Sequence, residues 1–123
     1  MQYMALIYGD ATRWNSLTPV EREAVYERYR AFSDEAQRAG VLIGGAELAG
    51  TSDATTVRVR DGETLVTDGP YAEVKEALGG YYLLECDTIE DALDWAGRIP
   101  GAEHGSIELR PVYSDPNDPE VGP

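Results

Sequence analysis

Two stretches of this sequence, Gln2–Tyr8 (QYMALIY) and Gly80–Cys86 (GYYLLEC), are almost unbroken apolar runs rich in aromatic and branched residues. Runs of this kind read as central strands covered on both faces. The rest of the chain offers only two amphipathic helix patterns to do the covering. Two helices can lie over one face of a sheet but not over both. The second face is then expected to be covered by another copy of the chain, packed sheet against sheet.

The first helix is signalled at Thr18-Pro19. Thr18 can cap, Pro19 suits the first helical position, and Glu21 completes a capping box. Val25, Tyr29, Phe32, Ala36 and Ala39 recur at spacings of three and four, and Gly40 supplies a left-handed stop. The Gly, Asp, Asn and Ser content of Gly9–Leu17 predicts a loop before it. Val41–Leu48 reads as a strand with a bulge or close backbone approach at Gly44-Gly45. Thr56–Arg60 and Thr64–Thr67 alternate around Asp61-Gly62, a strong hairpin signal. Tyr71–Leu78 fits either a short helical turn or an irregular edge segment. Thr88 and Asp91 open a second helix whose stripe is Ile89, Ala92, Leu93 and Ala96, and Pro100-Gly101 ends it. Ser106–Val112 alternates as a last strand.

That order predicts an α+β, ferredoxin-like sandwich: two βαβ halves sharing one antiparallel sheet, both helices on one face, and a hairpin inserted between the halves. With the expected second copy it becomes a dimeric α+β barrel. The domain is expected over residues 1–113, and 114–123 as a mobile, acidic, Pro-rich tail.

Charge excludes several roles. Acidic residues outnumber basic ones 23 to 10, a net charge of −13, which repels phosphate backbones and anionic lipid. A nucleic-acid binder is therefore not expected. Nor is a membrane protein, since no apolar run approaches the ~18 residues of a spanning helix. The N-terminus lacks a basic n-region and a small-residue cleavage site, and the single cysteine, Cys86, cannot form an internal disulfide. Both point to the cytoplasm.

Groups able to do chemistry concentrate in Thr67–Tyr82 (TDGPYAEVKEALGGYY). Asp68 precedes Gly69-Pro70, where the chain must turn, and Lys75 stands between Glu73 and Glu76. A carboxylate near a lysine in a cleft is an ordinary acid/base arrangement, which makes Asp68 and Lys75 the candidate catalytic residues. Asp68 could equally bond its own turn, and Lys75 could sit in water. In the last strand Ser106, Glu108 and Arg110 share a face, and Arg110 could hold an anionic substrate or form a salt bridge. Trp14, Tyr3, Tyr8, Tyr81 and Tyr82, aromatic bodies with polar tips, suit either the walls of a pocket for a planar ligand or a dimer interface, and Trp14, Tyr71, Tyr81 and Arg110 are the candidate substrate-binding residues. One His and one Cys give no metal-ligand spacing, so neither metal nor cofactor is expected.

The segment TDGPYAEVKEALGGYYLLE resembles the DGPF signature of the YCII-related superfamily, which runs roughly TDGPF-x-E-x-K-E-x-x-GGY. MQYMALIYGD, the Trp14 loop, VRVRDGETLVTDGP and GSIELRPV are similar to that group as well, so the likeness covers nearly everything before the tail. Tyr71 stands where the signature usually has Phe, keeping the ring and adding a hydroxyl. The resemblance implies a ferredoxin-like dimer in the bacterial cytosol, often encoded beside extracytoplasmic-function sigma factors, with activity mostly unassigned. The narrower YciI-like branch carries a His on the first helix paired with an Asp. Here Pro19–Ala39 has no histidine, with Tyr26 and Tyr29 instead, and the only one is His104. The pair is not carried over.

Two functions are expected from these readings. One is a small cofactor-independent enzyme acting on a carbonyl, phenolic or lactone compound, with Asp68 as acid/base and Lys75 or Arg110 stabilising anionic charge. The other is a non-catalytic dimeric module that binds a small molecule or regulates, functionally linked to a sigma factor.

Overall fold

The capping box forms as the sequence spells it. In the structure, a computed structural model that describes residues 1–113, Thr18 Oγ1 accepts from the Glu21 amide at 3.2 Å. Glu21 Oε1 in turn accepts from the Thr18 amide at 2.9 Å. The chain runs β1 (Gln2–Asp10), α1 (Ala11–Asn15), α2 (Pro19–Arg38), β2 (Leu42–Glu47), β3 (Thr55–Arg60), β4 (Glu63–Asp68), β5 (Glu76–Glu85), α3 (Ile89–Gly97) and β6 (Ser106–Pro111). The main sheet is antiparallel in the order β2-β5-β1-β6. This is the ferredoxin-like α+β arrangement, with β3 and β4 forming a separate two-stranded sheet.

The two central strands are the two apolar runs. On the helix side, Tyr3, Ala5 and Leu84 pack with Phe32 and Ala36 of α2, Ala92 of α3, and Ile99. Phe32 lies against Tyr82 at a ring separation of 4.9 Å. The pleat sends alternate residues the other way. Met4 and Leu6 pair with Leu83 and Tyr81 across β1–β5, and with Arg110 and Glu108 across β1–β6. These residues make an apolar centre with a polar edge on the face that the helices leave open.

Both glycine-rich places in the sheet break its register. The β2–β5 pairing shifts between Leu42 and Gly44, as the sequence predicts. The β1–β5 pairing also shifts: Ile7 pairs with Gly80 and Tyr8 with Leu78, leaving Gly79 as the extra residue. Gly45 is a close approach, since a Cβ there would meet Tyr81 O at 2.6 Å and Tyr82 Cδ1 at 2.8 Å. In the hairpin, Asp61 and Gly62 both take positive φ (51° and 77°), as a two-residue primed turn requires.

Three expectations need correction. Gly9–Leu17 holds the short helix α1, because Asp10 Oδ1 accepts from the Thr12 amide at 2.9 Å and starts a turn. The buried positions of α3 are Ala92 and Ala96, with Trp95 half-buried, while Ile89 and Leu93 are exposed. The core-facing stripe is thus rotated, because the two alanines let the helix sit close to the sheet. Of the two readings open for Tyr71–Leu78 the irregular one holds as far as Lys75, and the correction is that β5 begins at Glu76 rather than at Gly80. The expected tail, 114–123, lies outside the described residues.

Candidate functional site: a cleft between helix and sheet

A cleft of about 670 Å³ opens between α2 and one end of the main sheet, its wall predominantly apolar. Five separated segments build it: the end of β1 with α1, the middle of α2, the end of β2, the start of β5, and the turn before β6. That is the size and character of a small-molecule site.

Each wall is held by identifiable contacts. The turn of α1 lays Trp14 edge-on against Tyr26, ring centroids 5.4 Å apart at 85°. Arg22 stacks over the Trp14 ring at 5.7 Å and donates to the carbonyls of Trp14 and Asn15. Across the cleft, Tyr26 Oη donates to Glu47 Oε1 at 2.8 Å, tying α2 to the end of β2. Deeper in, Tyr82 Oη and Ser33 Oγ lie 3.2 Å apart. Tyr29 Oη comes so close to Gly101 that a Cβ there would stand 2.7 Å from it. Arg28 grips the Glu103 carboxylate with both guanidinium nitrogens, fastening the last turn to α2.

These contacts set the protonation of the cleft. The Glu47 hydrogen bond, then burial and the Glu47 charge, push the Tyr26 phenol above its ordinary value. Burial does the same to Tyr29 and Tyr82, with the Tyr82 phenol adding to the first and Ser33 opposing in the second. All three phenols are therefore hydroxyl donors at neutral pH. Arg28 holds the Glu103 carboxyl below its ordinary value. Asp10, Arg13, Glu47 and the half-exposed His104 are the other polar groups on the wall.

Of the residues singled out in the sequence, Trp14 lies on this wall and Tyr81 borders it, although its alternation with Tyr82 turns it toward the opposite sheet face. Asp68, Tyr71, Lys75 and Arg110 lie outside the wall. Asp68 ends β4 and is exposed, Tyr71 is 79% exposed, Lys75 is exposed, and Arg110 stands on the open sheet face. The segment after Asp68 is fixed to the hairpin and not to the cleft: Gly69 N donates to Ala54 O at 2.7 Å and Thr56 Oγ1 to Gly69 O at 2.8 Å. Arg58 donates to Tyr71 O at 3.3 Å. Tyr8 and Tyr82, read from the sequence as candidate wall residues, also line the cleft, whereas sequence reasoning missed Glu47 and Tyr29 and gave Tyr26 no role. The available signal was the pair of tyrosines one helical turn apart on α2.

Among the described residues no three His, Cys, Asp or Glu side chains form a metal-binding group. Cys86 is buried, and burial together with Asp91 raises its thiol above the ordinary value. No helix is long and apolar enough to cross a membrane among those residues.

A family model for the YCII-related domain matches residues 1–114. An uncharacterized protein of Rhizobium meliloti (strain 1021) is 39% identical over 114 residues, covering 91% of this chain and 92% of its own length.

Proposed function

The chain belongs to the YCII-related family, and on that premise we propose that it is a small cofactor-independent enzyme of the DGPF-type branch. Its substrate is a planar carbonyl, phenolic or lactone compound taken into the cleft. The observation that carries the reading is the Tyr26–Glu47 pair, a phenol and a carboxylate 2.8 Å apart on the wall of an aromatic cleft. Glu47 accepts a proton from the bound substrate. Tyr26, whose hydroxyl orients that carboxylate, then donates to the oxygen on which charge collects. Trp14 and Tyr82 supply flat surfaces for the ring or enol. The acid/base work moves in this way from Asp68, with Lys75, to the carboxylate that the cleft holds. Arg110 and Tyr71 are left to the outer surfaces.

The working form is a homodimer in the cytoplasm, packed through the open sheet face. The half-buried Met4, Leu6 and Leu83, side by side on that face, support the packing, since a contiguous apolar face of this kind marks an interaction surface. In the alternative reading the same cleft binds a ligand without chemistry, in a regulatory module linked to an extracytoplasmic-function sigma factor. The three protonated phenols favour it, because they form a donor-rich binding wall with no need of turnover.

The test is a melting screen with small aromatic and lactone compounds, followed by product analysis by NMR. A compound at 100 times its Kd adds about 2.7 kcal/mol of stability, a clear shift in melting. Turnover lost in Glu47→Gln with binding retained establishes the enzyme. Binding without turnover in the parent selects the module, and no binding to the parent, or binding that Trp14→Ala leaves unchanged, refutes both.

A further inference from the structure

We propose that Tyr29 is a further catalytic residue of this cleft: its hydroxyl holds the substrate's carbonyl oxygen while Glu47 takes a hydrogen from the carbon beside that carbonyl. The proposal rests on the enzymatic reading above and narrows its substrate to a carbonyl compound that can enolise, a ketone or lactone with a hydrogen on the α-carbon.

Hydrogen-bonding capacity along the wall is spent unevenly. A phenol has one hydrogen to donate and an oxygen that accepts. Tyr26 spends its hydrogen on Glu47 Oε1 at 2.8 Å. Tyr82 lies 3.2 Å from Ser33 Oγ, close enough to share one. Tyr29 follows Tyr26 by one helical turn and lines the same cleft, yet among the described residues nothing accepts its hydrogen. Its oxygen stands against Gly101, where a Cβ would come within 2.7 Å. The Gly101 backbone acts on that oxygen as a donor, opposing the effect of burial, and so offers the phenol hydrogen nothing. Nor is the hydroxyl sealed in, since no fully buried side-chain oxygen among the described residues lacks a partner. It is a donor left open to the cleft.

Glu47 is the complementary group. Tyr26 occupies its Oε1, while Oε2 has no partner among the described residues. Its charge acts on Tyr29 and Tyr82 as well as on Tyr26, so the carboxylate and the open phenol border one space. A simple phenol carries its acidic hydrogen and its accepting oxygen on the same atom. An enolisable carbonyl carries them on two neighbouring atoms, and can therefore meet two groups fixed on different elements, α2 and β2.

The step balances with no added reactant. The C–H bond at the α-carbon breaks and its proton passes to Glu47 Oε2. The electron pair left behind forms the new C=C bond, and the carbonyl π pair moves onto the oxygen to which Tyr29 donates. Return of the proton to the same carbon restores the substrate. Return to the far carbon of a conjugated dienolate delivers an isomer with a shifted double bond.

The probe is β-tetralone, a flat bicyclic ketone with acidic α-hydrogens and a carbonyl stretch above the protein's amide band. Proton exchange in heavy water is followed by NMR, the bound carbonyl by infrared spectroscopy, and affinity by titration. With the parent, exchange should saturate and the bound stretch should move to lower frequency. Tyr29→Phe should slow saturated exchange about a hundredfold and weaken binding only about fivefold. It should also release the bound stretch toward its value in an apolar solvent, a readout that a merely structural role would not move. Gly101→Ala keeps the hydroxyl but drives a Cβ against it, and should slow exchange in the same direction even where Tyr29→Phe folds poorly. Glu47→Gln should abolish exchange and keep the lowered stretch. Exchange that needs Glu47 but is unchanged in Tyr29→Phe and Gly101→Ala removes Tyr29's role and leaves the enzyme standing. A parent that binds the ketone without exchanging it removes the enzymatic reading and Tyr29's part in it. A parent that does not bind it overturns the substrate class proposed here.

Discussion

Replacing Gly45 by alanine should destabilise the domain and narrow the cleft, and its neighbour Gly44 is the control. A Cβ on Gly45 would stand 2.6 Å from Tyr81 O, 2.8 Å from Tyr82 Cδ1 and 3.3 Å from Tyr82 Cα, two of them backbone atoms that can yield only if the β2–β5 pairing opens. The third atom belongs to a ring packed on Phe32, so its escape leads into the cleft. Overpacking of this kind costs about 1–3 kcal/mol, and the lower chain entropy of alanine returns about 0.5–1 kcal/mol. A net loss of roughly 0–2.5 kcal/mol remains, centred near 1 kcal/mol. At about 3–6 °C per kcal/mol for a domain of this length, melting should fall by roughly 3–6 °C at the centre of that range. A Cβ on Gly44 meets nothing within 4 Å, so Gly44→Ala gains the entropy without the clash and should melt at or slightly above the parent. The assay is calorimetric melting of all three proteins at one concentration, since association stabilises by mass action. Gly45→Ala melting as high as Gly44→Ala would refute the argument. It would mean that the strand separation there is looser than the contacts describe.

Thr18→Ala removes the cap and one half of the capping box, and should cost about 1 kcal/mol, read as a shift in urea midpoint at constant m-value. The phenols of Tyr26, Tyr29 and Tyr82 titrate above their unfolded value of 10.0. The unfolded chain therefore loses these protons first and binds fewer of them as pH climbs past 10. Their contribution is complete below that pH and is lost as pH rises through the folded values. Urea unfolding at successive alkaline pH should show this decline, and it should be shallower in Tyr82→Phe. Cys86, buried and with its thiol raised, should resist an alkylating reagent in the native protein and react at once in urea. Fast native labelling would place it at the surface.

What the sequence disclosed was whatever a few adjacent residues decide by themselves. Thr18-Pro19 with Glu21 starts α2, Asp61-Gly62 closes the hairpin, and Ser106–Arg110 alternates, because cap, turn and pleat are each satisfied locally. The phase of α3 was not disclosed. Ile89 and Leu93 are more apolar than Ala92 and Ala96, but the distance between helix and sheet, a tertiary quantity, chose the small pair. The cleft was hidden for a related reason. Tyr26 and Glu47 are 21 residues apart, and Arg28 and Glu103 are 75 apart. No spacing rule joins them until the sheet order does. Asp68 and Lys75 drew attention by standing close together in the chain, on a segment whose hydrogen bonds go to the hairpin.

The extra residue at Gly79 divides β5 into two halves that obey different registers against β1. Residues 80–85 support the core and reach the cleft through Gly80, Tyr81 and Tyr82, whereas Ala77 and Leu78, on the other side of the shift, line the cleft without serving the core. A strand without such a dislocation transmits every inserted or deleted residue along its whole length, turning core side chains outward. Here the disturbance can stop at the glycine. The ligand-facing half can therefore be rewritten, lengthened or shortened while the load-carrying half keeps its alignment. A designer, or natural selection, could retune what the cleft admits on one side of Gly79 without re-deriving the fold on the other.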